Sequence, residues 1–174
     1  MIDVLIVLQT HSKGENHHYL GHTHYKRFVN QPKAEIMRRC TRSLVESINY
    51  AKELLADVNL RLVVLDDHSD EGPLEDLKNN LNLATFETKL IQLDTHGIMP
   101  SILACYEYGK EHGKDIVYFV QDDYLYEQKA IYDMFYTLMD NSQKLNNYAS
   151  IYPFDDPYRY IPQNTVIQSH MVRS

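Results

Sequence analysis

Hydrophobic residues along this chain fall into two kinds of segment that follow one another in turn. Short apolar runs predict strands buried on both faces, at residues 2–8, 60–65, 89–93 and 116–120. Between them, apolar residues recur about every 3.6 positions, which predicts helices at residues 35–57, 73–81, 100–112 and 127–145. Polar residues dominate positions 9–31, where we predict a long loop.

The alternation of strands with helices indicates a parallel sheet that is covered on both faces. We therefore predict an α/β fold, a three-layer α/β/α sandwich with a mainly parallel, Rossmann-like sheet. The alternating pattern breaks after Ala149. A loop rich in Pro and Tyr follows at 150–164, and a last candidate strand lies at 165–169.

Composition and charge exclude several classes of protein. The 174 residues, 44% of them hydrophobic, suffice for one domain with a substantial core. The net charge of -7 argues against nucleic acid as a partner, because proteins that bind it present a basic face. We expect no transmembrane segment, since no apolar run approaches about 20 residues. The first residues lack a signal-peptide pattern, so we expect a cytoplasmic location. Cys40 and Cys105 lack metal-ligand spacing and are predicted to be buried thiols.

Polar residues follow each predicted strand, at the place where ligands bind to open parallel sheets. In such sheets the site lies outside the carboxyl ends of the strands, where the strand order reverses. The candidates that follow the predicted strands are Thr10, His11, Ser12, Asp66, Asp67, Ser69, residues 94–97, Asp122 and Asp123.

Two of these strand ends carry adjacent carboxylates. Asp122 and Asp123 would repel each other unless a positive group joins them. Mg²⁺ or Mn²⁺ can supply this positive charge, because these ions bind one or two carboxylates and complete their shell with water and substrate phosphates. The alternative is that one of the pair caps the helix predicted to begin at Glu127. For Asp66 and Asp67 the alternative is a turn in which the side chains bond nearby amides.

The arrangement of these motifs resembles the GT-A glycosyltransferases of the family 2 type. RLVVLDDHSDEG resembles the second-strand motif of that family, a hydrophobic strand followed by Asp-Asp-Gly-Ser and another acid. DTHGIMPSILACYEYGKEHGKDIVYFVQDDYL resembles the segment that runs from an Asn-x-Gly turn to the metal-binding DxD motif. IVLQTHS falls where the family begins its nucleotide site. The resemblance covers residues 2–145 and rests on the order and spacing of the motifs.

The resemblance implies a nucleoside site at the first two strand ends. It places Thr10, His11 and Ser12 in the loop that lies along the nucleoside. Asp67, or its neighbour Asp66, corresponds to the acid that hydrogen-bonds the base. The implied ligand is a nucleotide-sugar donor such as a UDP- or GDP-sugar.

The resemblance also implies a metal site at the fourth strand end. Asp123 matches the last acid of the DxD motif and is the expected ligand of Mn²⁺ or Mg²⁺, with Asp122 assisting at the ribose, the diphosphate or the ion. Gly97 matches the turn glycine beside the nucleotide. Gln121 departs from the family, because many members have the first acid of the motif at this position.

The catalytic base of the family lies downstream of the metal motif, where only about fifty residues follow in this sequence. Asp155 and Asp156 are the remaining paired acids and the candidates for that base; the alternative is a polar loop. We expect a single domain over residues 1–174, with a donor-binding core at 1–148 and the start of an acceptor-side region at 149–174. The resemblance thus suggests the donor-binding part of a longer enzyme.

Histidines crowd the first predicted loop, in a spacing that fits no familiar zinc motif. A solvated loop, a lid over the donor or acceptor, and a zinc site are the alternatives for His11, His17, His18, His22 and His24.

The expected function is transfer of a sugar from a nucleotide-diphosphate donor to an acceptor hydroxyl, such as that of a glycan, with divalent metal assistance. The resemblance implies inversion at the anomeric carbon. A catalytically silent module that binds sugar nucleotides is one alternative. A nucleotidyltransferase is another, although QTHSKGENHH is a poor match to the Gly-rich, basic phosphate loop that such enzymes need.

Overall fold

The computed structural model describes residues 1–13 and 31–146, and these residues form four strands and four helices. The strands are β1 (Ile2–Thr10), β2 (Val58–Asp66), β3 (Glu87–Gln92) and β4 (Ile116–Gln121). The helices are α1 (Lys33–Leu54), α2 (Glu71–Leu81), α3 (Ile98–His112) and α4 (Ala130–Leu145). Each corresponds to an element that the hydrophobic pattern predicts. The candidate strand at 165–169 lies outside the described residues.

The four strands form one parallel sheet in the order β3-β2-β1-β4. The chain builds outward from β1 to β3 and then crosses back to place β4 on the other side of β1. This confirms the predicted α/β fold with a parallel sheet, and it is consistent with a Rossmann-like α/β/α sandwich.

Helices cover both faces of the sheet, which explains why the central strands carry continuous apolar runs, at residues 4–8 of β1 and 62–65 of β2. On one face, Leu5, Val7, Val63 and Leu65 pack with Cys105 of α3. Alternate residues of a strand point to the opposite face, and there α1 contacts β2 and packs against α2. The core therefore lies on both sides of β1 and β2.

Burial of the two cysteines confirms their predicted role as packing residues. Cys40 is 4% exposed and Cys105 is 6% exposed. Burial raises the pKa of the Cys40 thiol to about 12 and that of the Cys105 thiol to about 11, so both thiols stay protonated at neutral pH.

The start of α4 differs from the prediction and removes one alternative for the acid pair after β4. The helix begins at Ala130, three residues later than predicted. Near its beginning, the amide of Ile131 donates to the hydroxyl of Ser47 on α1 at 3.1 Å. The Ser47 side chain thus accepts a hydrogen bond from an amide in the first turn of α4. Asp122 and Asp123 lie too far before Ala130 to cap this helix. The capping alternative is wrong.

The chain divides into two compact units, Met1–Tyr136 and Thr137–Ser174. The first contains the whole sheet, α1 to α3 and the first two turns of α4. In the second, residues 137–146 are described and complete α4, where Lys144 pairs with Asp140 at 2.6 Å. The predicted division at residue 148 falls outside the described part and stays a prediction. Within the described residues, no helix combines the length and apolar character needed to cross a membrane.

Candidate functional site

The carboxyl ends of the parallel strands lie along one side of the sheet, which we call the carboxyl edge. The strand order reverses between β1 and β4, so the expected position of a ligand is near the ends of these two strands. In the strand register, Thr10 lies beside Asp66, and Gln9 lies beside Gln121. The strand-end candidates of the sequence therefore meet at the carboxyl edge.

Asp66 is fully buried and both of its carboxylate oxygens have partners. Oδ1 accepts a hydrogen bond from the Thr10 hydroxyl at 2.8 Å, and Oδ2 accepts one from the Ser69 amide at 3.0 Å. Asp66 therefore behaves as the turn-forming side chain that was the alternative for this segment. It ties the end of β1 to the loop that follows β2.

Asp67 has a side chain that is only 3% exposed, and its partners come from two loops of the carboxyl edge. Oδ1 lies 3.0 Å from Nδ1 of His68 and 2.9 Å from Nδ1 of His96, and Oδ2 accepts from the Gly97 amide at 2.9 Å. Burial opposes ionisation, but the hydrogen bonds from His68, the Gly97 amide and His96 together outweigh it. The pKa of the Asp67 carboxyl therefore lies below its usual value.

Gly97 joins the end of the loop after β3 to the start of α3. Its φ of 110° lies in a region that glycine adopts without the strain imposed by a Cβ atom. This backbone directs its amide to Asp67, while its carbonyl accepts the amide of Ser101 at 3.0 Å in the first turn of α3. The glycine is thus at the site because the turn requires a positive φ there.

Asp122 is buried at the reversal of strand order and forms an ion pair with Lys33 at the first position of α1. Its other oxygen accepts the backbone amide of His11 at 2.9 Å. Burial raises the pKa of the Asp122 carboxyl, while the Lys33 ammonium and the His11 amide favour its ionised form. The positive group that joins this acid is therefore a lysine of the protein, which links the ends of β1 and β4 to α1.

Asp123 differs from Asp122 in that its side chain is exposed. Gln121, which precedes the pair and is the last residue of β4, is exposed as well. The acid pair therefore divides into a buried carboxylate neutralised by Lys33 and an exposed carboxylate that can reach a ligand. Asp123 remains the carboxylate of this pair with the better access to a metal ion.

Ser12 fastens the loop after β1 to the loop after β2. Its amide donates to the Ser69 hydroxyl at 2.9 Å, and its own hydroxyl accepts from the Asp70 amide at 2.8 Å. The adjacent His11 lies with its Nδ1 at 2.6 Å from the Asp67 carbonyl, which can only accept, so this nitrogen carries the proton. The two loops form one hydrogen-bonded surface.

Three residues at the site had no predicted role of their own: Lys33, His68 and His96, although His96 lies in the candidate segment 94–97. The two histidines carried a detectable signal, since His68 follows β2 and His96 follows β3 at the same kind of strand end as the acids. Together with Asp67 they form a group whose ligand atoms lie within 4.8 Å of one another and which can hold a metal ion. Lys33 carried no such signal, because it is the first residue of a helix, where a cation is unfavourable for the helix dipole.

Several predicted candidates lie outside the described residues. They are the proposed bases Asp155 and Asp156, and the loop histidines His17, His18, His22 and His24.

No protein-family model matches this chain, and no curated protein gives a significant match.

Proposed function

We propose that this protein is a glycosyltransferase that binds a nucleotide-diphosphate sugar at the carboxyl edge and transfers the sugar to an acceptor hydroxyl. One observation carries the proposal: hydrogen bonds link the ends of β1, β2 and β4 and the loop after β3 along the carboxyl edge, and the bond from His11 to Asp122 lies where the strand order reverses between β1 and β4. Ligands of open α/β sheets bind at this place. The order of motifs in the sequence gives the class of ligand.

Asp67 is the acid best suited to the nucleoside base. An ionised carboxylate offers about four acceptor positions, and the two histidines and the Gly97 amide use three of them. The remaining position, on Oδ2, can accept the ring N–H of a uracil or guanine base. Asp66 is a poorer candidate, because Thr10 and Ser69 already hold both of its oxygens in the buried turn.

Asp123 is the proposed protein ligand of Mn²⁺ or Mg²⁺, with diphosphate oxygens and water completing the coordination. Its exposed carboxylate fits such an ion. Bound there, the ion would stabilise the negative charge of the leaving nucleoside diphosphate. Asp122 holds the adjacent backbone in place through Lys33 and His11, so that Asp123 projects from a rigid strand end.

A second function, that of a silent module binding sugar nucleotides, is favoured by the small number of free acids at the metal position. Gln121 replaces one acid, and Lys33 already neutralises Asp122. One exposed carboxylate gives weaker metal binding than two. Product formation with a matched donor and acceptor separates the two functions, because the module binds the donor without turnover.

We expect UDP or GDP to bind to the full chain and Mn²⁺ to strengthen this binding. The Asp123→Asn variant should lose the increment due to Mn²⁺ and keep the metal-independent affinity, because it removes a charged ligand and leaves the fold intact. Isothermal titration calorimetry of both nucleotides, with and without Mn²⁺, measures this. Asp57→Asn is the matched control, an exposed acid just before β2 at the opposite edge of the sheet. An unchanged Mn²⁺ increment in Asp123→Asn would exclude the role assigned to Asp123.

We expect Asp67→Asn to weaken nucleoside binding about 10- to 100-fold, with or without Mn²⁺. A hydrogen bond to a charged acceptor contributes about 1.5–3 kcal/mol, which corresponds to this range. Calorimetry with nucleoside, nucleotide and inorganic diphosphate measures it. Asp94→Asn, at an exposed acid after β3, is the control from the same edge. Equal losses for diphosphate and nucleotide would contradict a contact with the base.

A further inference from the structure

Two imidazoles and one carboxylate converge at the ends of β2 and β3. His68 and His96 both direct Nδ1 to the same oxygen of Asp67, at 3.0 and 2.9 Å. The two rings meet edge to face, with centroids 5.2 Å apart. Three candidate ligand atoms therefore surround one small volume at the carboxyl edge.

Two of the three separations among these atoms are close to those of ligands around one metal ion, and the three residues offer ligand atoms within 4.8 Å of one another. Bonds of about 2.1 Å from a first-row metal to nitrogen or oxygen place neighbouring ligands about 3.0 Å apart at right angles and about 3.4 Å apart in a tetrahedron. The distances from Oδ1 of Asp67 to the two Nδ1 atoms match the first value. Small rotations of the imidazoles would lengthen these two distances to the second value.

The backbone at His68 contributes to this convergence. His68 has a φ of 55°, in the left-handed region that few residues other than glycine adopt. In this conformation the His68 ring lies beside the carboxylate of the preceding residue, with Nδ1 at 3.0 Å from Oδ1 of Asp67. Residues in such conformations cluster at ligand sites, because the surrounding structure must offset their cost.

We propose that Asp67, His68 and His96 form a binding site for a divalent first-row transition metal, of which Zn²⁺ and Co²⁺ are suitable probes. Two imidazoles with one carboxylate favour such ions over Mg²⁺ or Ca²⁺, which take oxygen ligands. The protein provides three ligands from one side. The remaining coordination positions face solvent, because the side chain of His68 is 42% exposed and that of His96 is 66% exposed.

Hydrogen bonds around the group hold the carboxylate in place for a metal ion. The Gly97 amide donates to Oδ2 of Asp67 and leaves Oδ1 for the ion, while Nδ1 of His11 bonds the Asp67 carbonyl. Such outer partners typically change metal affinity 10- to 100-fold. On binding, each ligand histidine gives its Nδ1 lone pair to the ion and carries its proton on Nε2.

This site is distinct from the metal site proposed at Asp123 and does not rest on the glycosyltransferase assignment. It shares Asp67 with the proposed contact to the nucleoside base. We therefore expect a transition metal at the histidines to compete with a nucleoside base for this carboxylate.

The test is titration of the full chain with Co²⁺, followed by its visible absorption, and with Zn²⁺ in calorimetry. Residues 17–24 contain four further histidines, so a background variant with His17, His18, His22 and His24 replaced by Asn is used throughout. We expect one equivalent of Zn²⁺ to bind this variant and Co²⁺ to give d–d bands typical of nitrogen and oxygen ligation.

Single substitutions then assign the ligands. His96→Ala and His68→Asn should each weaken Zn²⁺ binding at least 10-fold and shift the Co²⁺ bands. His96 is too exposed for its loss to unfold the protein, and Asn tolerates the left-handed backbone at position 68. His112→Ala, at the end of α3, is the matched control, because its side chain is 42% exposed like that of His68.

Two results would overturn the proposal. The first is Zn²⁺ affinity that is unchanged in both His68→Asn and His96→Ala. The second is complete loss of Zn²⁺ binding in the background variant, which would assign the metal to residues 17–24. Nucleotide affinity is measured in parallel: retained nucleotide binding with lost Zn²⁺ binding in His96→Ala separates the two sites, whatever the outcome for Asp123.

Discussion

Replacement of Lys33 by methionine should lower the free energy of unfolding by about 3–5 kcal/mol at pH 8, the range expected when one partner of a buried ion pair is removed. The side chains of Lys33 and Asp122 are 17% and 8% exposed, so water solvates the remaining carboxylate poorly. The His11 amide would then be its one remaining partner among the hydrogen bonds described above. Urea unfolding, followed by circular dichroism, measures the loss.

The penalty should become smaller as the pH falls. Burial already raises the pKa of Asp122, whereas the Lys33 ammonium lowers it. Loss of this ammonium would therefore raise the pKa of Asp122 further. A group whose pKa is higher in the folded state than in the unfolded state adds stability at low pH and loses it as the pH rises through the folded value. The difference between Lys33→Met and wild type should therefore be smaller at pH 5 than at pH 8.

A double variant separates charge from packing. Lys33→Met with Asp122→Asn removes both charges and keeps an oxygen that can accept the His11 amide. We expect it to regain most of the stability lost in the single variant at pH 8. If the double variant is as unstable as the single one at both pH values, the loss arises from the packing of the Lys33 side chain.

Replacement of Asp66 by alanine should lower the free energy of unfolding by about 2–6 kcal/mol, because each buried polar group left without a partner costs about 1–3 kcal/mol. The two groups are the Thr10 hydroxyl and the Ser69 amide. Thr10 and Asp66 are both fully buried, so water cannot take the place of the carboxylate without rearrangement. Thermal and urea unfolding measure the effect.

The neighbouring positions provide the controls for this prediction. Asp66→Asn keeps one oxygen that can accept from the Ser69 amide and adds an amide group that can donate to the Thr10 hydroxyl. This variant should therefore retain most of the free energy of unfolding. Asp67→Asn should act mainly on nucleoside binding. If Asp66→Ala stays within about 1 kcal/mol of wild type and loses nucleoside affinity, Asp66 is the binding carboxylate and the assignment of the two acids must be exchanged.

The positions of strands and helices could be predicted because local sequence specifies them. The central strands are buried on both faces, so their apolar runs are continuous, as in β1 and β2. Boundaries were less predictable. The beginning of α4 depends on Ser47 of α1, which supplies the hydrogen bond to the amide of Ile131 from 84 positions away. A partner so distant leaves no local pattern.

The separate roles of the paired acids could not be predicted in the same way. Asp122 and Asp123 are chemically identical and adjacent, yet one is buried and the other is exposed. Lys33 stands 89 positions before Asp122, and only the packing of α1 brings its ammonium to the end of β4. Likewise, hydrogen bonds to Thr10 and Ser69 use both oxygens of Asp66, whereas Asp67 bonds to His96 and Gly97 in the loop after β3.

The sequence by itself determined the fold class, the alternation of strands and helices, and the position of the candidate polar residues at the strand ends. These follow from hydrophobic periodicity and from the rule that parallel strands end at a common edge. The tertiary structure alone decided the strand order, the pairing of Lys33 with Asp122 and the convergence of His68 and His96 on Asp67. The physical reason is that periodicity records whether a side chain is buried, whereas its neighbours depend on long-range packing between segments far apart in the chain.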